Sequence, residues 1–225
     1  MISVIIPVLN EEKCLPAILR SLQRQKGDIE IIAVDGGSSD ATVEILRQHE
    51  NIQVLASPRG RAPQMNTGAR AAKGDWLLFL HADTLLPEGA LSRLDTRTHD
   101  DSIQAGGFLH RFSGNSLGLK VTSWLHNWRC SKQHIFYGDQ AFFIRRALFE
   151  QLGGYPEDAV MEDIAFGEIL LRETCPVLLD EYVVTDSRKF EQMGEWRSLY
   201  RVCVILLRHQ FGLSVAQNRF FSNIR

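Results

Sequence analysis

Asp83 closes the segment Trp76-Leu77-Leu78-Phe79-Leu80-His81-Ala82-Asp83, which sets a carboxylate at the carboxyl end of an apolar run. A carboxylate there can hold Mg2+ or Mn2+ on a diphosphate, because phosphate oxygens and waters supply most of the remaining ligands. His81 stands where a D-x-D pattern has its first Asp, and imidazole serves Mn2+ more readily than Mg2+. The plainer alternative is an Asp that caps the turn before Pro87. Asp35 ends another apolar run and is followed by Gly36-Gly37-Ser38-Ser39-Asp40. An acceptor-only carboxylate suits the N–H of a pyrimidine or a ribose hydroxyl, and it equally suits a strand-to-helix turn. Between these lie Arg59, Gly60 and Arg61 ahead of a helix start, which is either an anion site or a solvated basic loop. Glu162 and Asp163 open a later helix, where paired acids complement the macrodipole or supply a base for an acceptor nucleophile.

The elements that must carry these groups alternate through the first 100 residues. Apolar runs predict strands over Ile2–Pro7, Ile29–Val34, Ile52–Ala56 and Trp76–Leu80. Helical spacing predicts helices over Glu11–Gln25, with Asn10 as N-cap, over Asp40–His49, capped by Ser39 or Asp40, and over about Ala62–Ala72. Such alternation implies right-handed crossovers and a mainly parallel α/β sheet with helices on both faces. Ligands of such sheets gather outside the carboxyl ends of the strands, which is where Asn10, Asp35 and Asp83 fall. After residue 100 the rhythm changes: strands are expected at Gln104–Phe112, Phe136–Ile144 and Val177–Val184. Helices are expected at Ala147–Leu152, Met161–Glu173 and Glu195–Phe211. The expected organisation is a single domain over residues 1–225, with a nucleotide-binding half (1–100) and a mixed acceptor-side half ending in an amphipathic helix (101–225).

The 225 residues are 44% hydrophobic and 23% charged, with a net charge of -2. That composition is ordinary for a globular protein and offers no global basic field for nucleic acid. The cysteines, Cys14, Cys130, Cys175 and Cys203, form no C-x-x-C pair, which argues against a zinc site or a disulfide framework and fits a reducing cytoplasm. The N-terminus reads as a strand that meets Glu11 and Glu12 too early for a signal peptide. The longest apolar run of the tail is far short of the ~20 residues that span a bilayer.

Residues 4–12 (VIIPVLNEE), 34–42 (VDGGSSDAT), Asn66-Thr67-Gly68-Ala69, 78–84 (LFLHADT) and 153–163 (GGYPEDAVMED) together resemble glycosyltransferase family 2, of GT-A fold. Residues 60–66 (GRAPQMN), 137–146 (YGDQAFFIRR), the HAD variant and Ser187-Arg188-Lys189-Phe190 resemble its small "transferase 2, rSAM/selenodomain-associated" subgroup. The resemblance covers nearly the whole chain and implies inverting transfer of a sugar from a nucleotide diphosphate donor, most often a UDP-sugar, to a small-molecule or lipid acceptor. Carried over, it implies that Pro7, Asn10 and Glu12 border the nucleotide, with Asn66 and Arg61 on the same side, and that Asp35 holds the uracil or ribose. Asp83 would hold the metal, Mn2+ or Mg2+, with His81 beside it. Asp163 would be the general base, supported by Glu162. Gly154 and Tyr155 would lie by the sugar, and Asp139 and Gln140 in the sugar or acceptor pocket, while Arg188 or Arg61 would steady the leaving diphosphate. The absent first Asp of D-x-D leaves the metal's identity and strict need open.

Three other readings compete. A sugar-phosphate nucleotidyltransferase wants a Gly-rich basic loop after the first strand, where this chain has Leu9-Asn10-Glu11-Glu12. A dehydrogenase wants G-x-G-x-x-G there. A nucleotide-sugar-binding protein without activity would carry His81 as its lesion, although Asp83 and Asp163 are both present. The last helix, residues 195–211, combines Trp196, Leu199, Tyr200, Val202, Leu206 and Leu207 with Arg197, Arg201 and Arg208. It reads either as a peripheral membrane contact or as a helix packed on the sheet or in a homodimer.

Overall fold

Ile2, Val4, Ile6 and Val8 belong to one hydrophobic cluster and Ile5 to another, so the first strand is buried on both of its faces. That is the pattern of a parallel strand covered by helices on either side. The computed structural model describes residues 1–159 and 161–210. Its strands are β1 (Ile2–Val8), β2 (Ile29–Asp35), β3 (Ile52–Ala56), β4 (Trp76–Phe79), β5 (Thr84–Leu85), β6 (Ala105–Phe112), β7 (Phe143–Arg145) and β8 (Val177–Thr185). They form one eight-stranded sheet in the order β3-β2-β1-β4-β7-β6-β8-β5. β3, β2, β1 and β4 are mutually parallel, β7 runs against β4 and β6, and β8 is parallel to β6 and antiparallel to β5.

The helices are α1 (Leu15–Gln23), α2 (Thr42–Arg47), α3 (Arg61–Ala71), α4 (Ala90–Thr98), α5 (Leu117–Gln133), α6 (Arg146–Gln151), α7 (Glu162–Leu170), α8 (Arg188–Met193) and α9 (Glu195–Gln210). Leu15, Ile18, Leu19 and Leu22 of α1, Leu46 of α2 and Leu91 and Leu94 of α4 fill one side of the sheet. Met65 and Ala69 of α3, Cys130 of α5, Phe149 of α6 and Phe166 and Leu170 of α7 fill the other. The expected α/β architecture therefore holds, with the strand-to-helix turns of the parallel half on one edge.

Two expectations need correction. The first helix begins at Leu15 rather than Glu11, and Asn10 is not its cap: Asn10 sits at φ 55, in the left-handed region. Pro16 explains the late start, since a proline without N–H fits only a helix's first turn. The strand expected over Phe136–Ile144 is confined to Phe143–Arg145, because residues 138–140 form a 3-10 turn and Ala141 is left-handed at φ 47. The Gln140 side chain accepts a hydrogen bond from the Tyr137 N–H at 3.3 Å and holds that turn closed.

α4, α5 and α8 are helices that the sequence reading left unassigned. α5 starts at Ser116, whose hydroxyl accepts from the Leu119 N–H at 3.3 Å. It leaves Trp124 and Trp128 exposed with their rings stacked 6.4 Å apart, and α9 packs against it, exposing Trp196 and Tyr200. Position 211 of the last predicted helix and the side chains of Leu206 and Leu207 lie outside the described residues. Among the described residues no helix is long and apolar enough to cross a membrane.

Candidate active site

The loops after β1 and β2 are joined by reciprocal hydrogen bonds. The Asn10 N–H donates to Ser38 Oγ at 2.9 Å, and the Ser39 N–H donates to Asn10 Oδ1 at 2.8 Å. The Glu12 N–H donates to Asp40 Oδ2, and the Ala41 N–H returns a bond to Glu12 Oε2, both at 3.2 Å. Asp35 takes the N–H groups of Gly37 at 3.1 Å and Ser38 at 3.0 Å. Its carboxylate thus shapes the turn and keeps acceptor capacity, since an ionised carboxylate offers about four lone-pair sites. Beneath both loops Gln64, buried in α3, donates to the carbonyls of Val8 and Val34 at 2.8 Å each. This amide ties the end of β1, just past Pro7, to the end of β2. Sequence reasoning quoted Gln64 only as part of a motif string.

Asp83 follows β4. The Asp186 N–H donates to its carbonyl at 2.9 Å, and the neighbouring Thr84 and Thr185 hydroxyls meet at 3.1 Å. This pairing carries the segment after β8 to the tip of β4. Lys189 there reaches Glu11 Oε1 at 3.0 Å and Asp83 Oδ2 at 3.7 Å. Burial of its stem opposes the charge, yet Asp83 and Glu11 outweigh it and hold the Lys189 pKa above its ordinary value. Arg188 Nε pairs with Asp186 at 2.7 Å, and its Nη2 donates to Cys14 Sγ at 3.2 Å. Arg188 therefore stands beside the start of α1, on the Asp83 side.

His81 joins the two halves of the site. Its ring lies against the backbone of Gly138, so close that any Cβ at that position would overlap the imidazole. Burial, reinforced by Arg61, lowers its pKa to about 4 against the pull of Asp83 and Asp139, so the ring is neutral at pH 7. Its Nε2 is buried without a hydrogen-bond partner.

The Gly138 N–H donates to Asp163 Oδ2 at 3.2 Å. Burial, and then the adjacent Glu162, raise the Asp163 pKa to about 7, while Arg61 works in the opposite direction. Glu162 is buried beside it in the first turn of α7. The Tyr155 ring is packed among Phe79, Phe149 and Phe166, and its phenol is raised well above its usual range by burial, then by Asp163 and Glu162.

Asn66 holds this second wall in place. Its Nδ2 donates to the Tyr155 carbonyl at 2.9 Å and to Glu157 at 3.0 Å, and its Oδ1 accepts from the Tyr155 N–H at 2.9 Å. Gly154, at φ 78, lets the chain turn onto it. Asn66→Ala leaves the buried N–H and C=O of Tyr155 unpaired, and each such group costs about 1–3 kcal/mol. We expect a loss of about 2–4 kcal/mol in urea unfolding; a loss under about 0.5 kcal/mol would contradict the clamp.

Asp35, Asp83 and the Asn10 loop therefore share the carboxyl edge of the parallel strands. His81 connects that edge through Gly138 to Asp163, with Asp139 and Arg61 in electrostatic reach. One sheet with a parallel half joined to mixed strands and flanked by helices is the GT-A fold, and solved structures share that fold. The mannosyltransferase PcManGT from Pyrobaculum calidifontis, in complex with GDP-Man and Mn2+, superposes with a TM-score of 0.64 at 22% identity, over 81% of this chain and 56% of its own. S. aureus TarS 1-349 in complex with UDP gives 0.65 at 19% identity, over 88% of this chain and 64% of its own. Residues 3–153 match the family model described as Glycosyl transferase family 2, and the chain belongs to that family. The "PGL/p-HBAD biosynthesis glycosyltransferase" of Mycobacterium bovis BCG is 36% identical over 170 residues, 69% of this chain. The chain spans 63% of that relative's length.

Proposed function

We propose that this chain transfers a sugar, with inversion, from a UDP-sugar to an acceptor hydroxyl, with Asp163 as general base. The observation that carries the reading is the division of labour between two acids. Asp83 lies at the strand tip beside a lysine. Asp163 lies behind His81 and Gly138 with its pKa raised to about 7, near the operating pH that a general base needs. Asp35, Asn10, Glu12 and Pro7 border the nucleotide in this reading, and the parallel half of the sheet is its binding half.

Asp83 and Glu11 already draw one cation, the Lys189 ammonium, so this edge is suited to positive charge, and a divalent ion would take that ammonium's place at Asp83. Asp83, with His81 beside it, would hold Mn2+ or Mg2+, which would neutralise the leaving diphosphate. Lys189 and Arg188 add their own positive charge on that side, and Arg61, within electrostatic reach of His81 and Asp163, would add to it. Asp163 accepts the acceptor's proton, Glu162 holds its carboxyl in the protonation range that this requires, and the Gly138 N–H orients it.

Calorimetric titration with UDP in Mn2+, in Mg2+ and in EDTA, with GDP as control, tests the donor site. Binding of UDP over GDP that disappears in EDTA is expected. No UDP binding in either metal would overturn the proposal.

A further inference from the structure

Asp139, expected in the sugar or acceptor pocket, lies between two histidines that sequence reasoning did not single out. His110 comes from β6, His126 from α5 and Asp139 from the 138–140 turn. His110 Nε2 is 3.7 Å from Asp139 Oδ2, and His126 Nε2 is 3.6 Å from Asp139 Oδ1. Both gaps exceed the ~2.7–3.2 Å of an N–H···O hydrogen bond. One ligand atom from each of the three residues lies within 4.8 Å of the others. Ligands held about 2.0–2.2 Å from a tetrahedral zinc stand about 3.3–3.5 Å apart. The two His–Asp distances exceed that by a few tenths of an ångström, and the set as a whole, spanning up to 4.8 Å, would draw in around an ion.

The second observation is a concentration of buried polar atoms without partners. His110 is 1% exposed, and neither of its ring nitrogens has a hydrogen bond; His126 Nε2 and Asp139 Oδ1 are also buried and unpaired. Buried polar atoms are nearly always partnered, and one shared ligand would satisfy three of these four, leaving a single ring nitrogen of His110. We propose that His110, His126 and Asp139 bind a divalent transition-metal ion of the zinc class, with no ligand from Asp83.

The donor set suits that class. Two imidazoles and one carboxylate favour zinc or a neighbouring transition metal over Mg2+, and three protein ligands leave a fourth position for water or a substrate oxygen. The ligands are also in the forms that a metal takes. Burial depresses both imidazoles, His126 to about 4. Burial alone would raise the Asp139 carboxyl, but His126, His110, His81 and Arg61 bring it down to about 2. Outer contacts support the elements that carry the set, although the second ring nitrogen of His110 has no partner of the kind usual for a metal-bound histidine. Gln140 hydrogen-bonds the His126 side chain and donates to the Phe108 carbonyl at 3.2 Å. Asn127 brackets the His110 backbone, accepting from its main-chain N–H and donating to its main-chain carbonyl at 2.8 Å each.

The test is titration of the EDTA-stripped full chain with Zn2+ against a chromogenic chelator, without nucleotide, in wild type, His126→Gln, Asp139→Asn and Asp83→Asn. One equivalent should bind to wild type and Asp83→Asn, and more weakly when Mn2+ or Mg2+ replaces Zn2+. In His126→Gln and Asp139→Asn the affinity should fall by more than about 100-fold, beyond the usual cost of losing an outer contact. Circular dichroism establishes that each variant is folded. Added Zn2+ should raise the thermal midpoint of wild type and Asp83→Asn and leave the other two unmoved. Absence of binding by folded wild type, binding that survives both His126→Gln and Asp139→Asn, or binding lost in Asp83→Asn overturns the proposal. With nucleotide absent, failure here and failure of the UDP titration are separate results.

Discussion

Asp163→Asn is expected to lower kcat by about 10²–10⁴-fold at pH 8 while UDP binding is kept, the range for loss of a positioned general base. Asparagine keeps the shape of the side chain and the bond from the Gly138 N–H, so the chemistry is removed with little disturbance. The pH profile separates a base from a structural acid. The groups facing Asp163 are Glu162, Asp139, Tyr155 and Tyr137, with Arg61 opposing the acids. Because the catalytic form is the ionised one and the pKa is raised to about 7, wild-type kcat/KM should rise between about pH 6 and 8 and then level off. The residual activity of Asp163→Asn should not show that rise. Stability moves the other way. The folded state keeps a proton that the unfolded chain releases at an ordinary aspartate pKa, so this group's contribution falls as pH climbs from about 4 to 7. Above pH 7 Asp163→Asn should therefore unfold at the same or higher urea concentration. Unchanged kcat in the variant would remove Asp163 from the mechanism.

Asp83→Asn should reduce kcat/KM by about 10²–10³-fold, the scale for losing one group that stabilises developing charge. The sign of the salt and metal response is the more specific readout. Wild type should bind UDP more tightly as Mn2+ is added, and the variant should lose that dependence. Lys189 would then keep Glu11 as its close partner, at 3.0 Å, and a weak metal-independent affinity should remain. A variant whose UDP affinity still rises with Mn2+ as in wild type would place the cation elsewhere.

Much of this was legible in the chain and some of it was not, for reasons tied to particular residues. β1 to β4 were readable because each is a continuous apolar run bounded by turn residues, and a parallel strand buried on both faces needs little else. Their tips announced Asp35 and Asp83 for the same reason. α5 was missed because its apolar residues do not gather on one face: Trp124 and Trp128 stand in solvent while Cys130 is buried. The roles of Asn10 and Gln64 were hidden because their partners are backbone and side-chain groups of loops far along the chain. The histidine pair was hidden for another reason. Cysteine spacing gave no metal signal, and His110, His126 and Asp139 belong to three elements that meet only through the packing of α5 on β6 and the turn before β7.

The contact between His81 and Gly138 also bears on how such a sequence can change. An imidazole whose Nε2 edge abuts a glycine backbone, with Asp139 and Asp163 close by, should not be interchangeable with the aspartate of an ordinary D-x-D tip. Introducing that aspartate would replace a neutral ring with a third acid beside two others, and the shorter side chain would leave a gap over Gly138. Conversely, any larger residue at 138 would force the His81 side chain to move. The two positions are expected to be coupled: a substitution at either should be tolerated better with a matching change at the other. The strand tip and the turn 57 residues downstream therefore form one heritable unit, and exchanging either segment alone with that of a relative should yield a poorer protein than exchanging both.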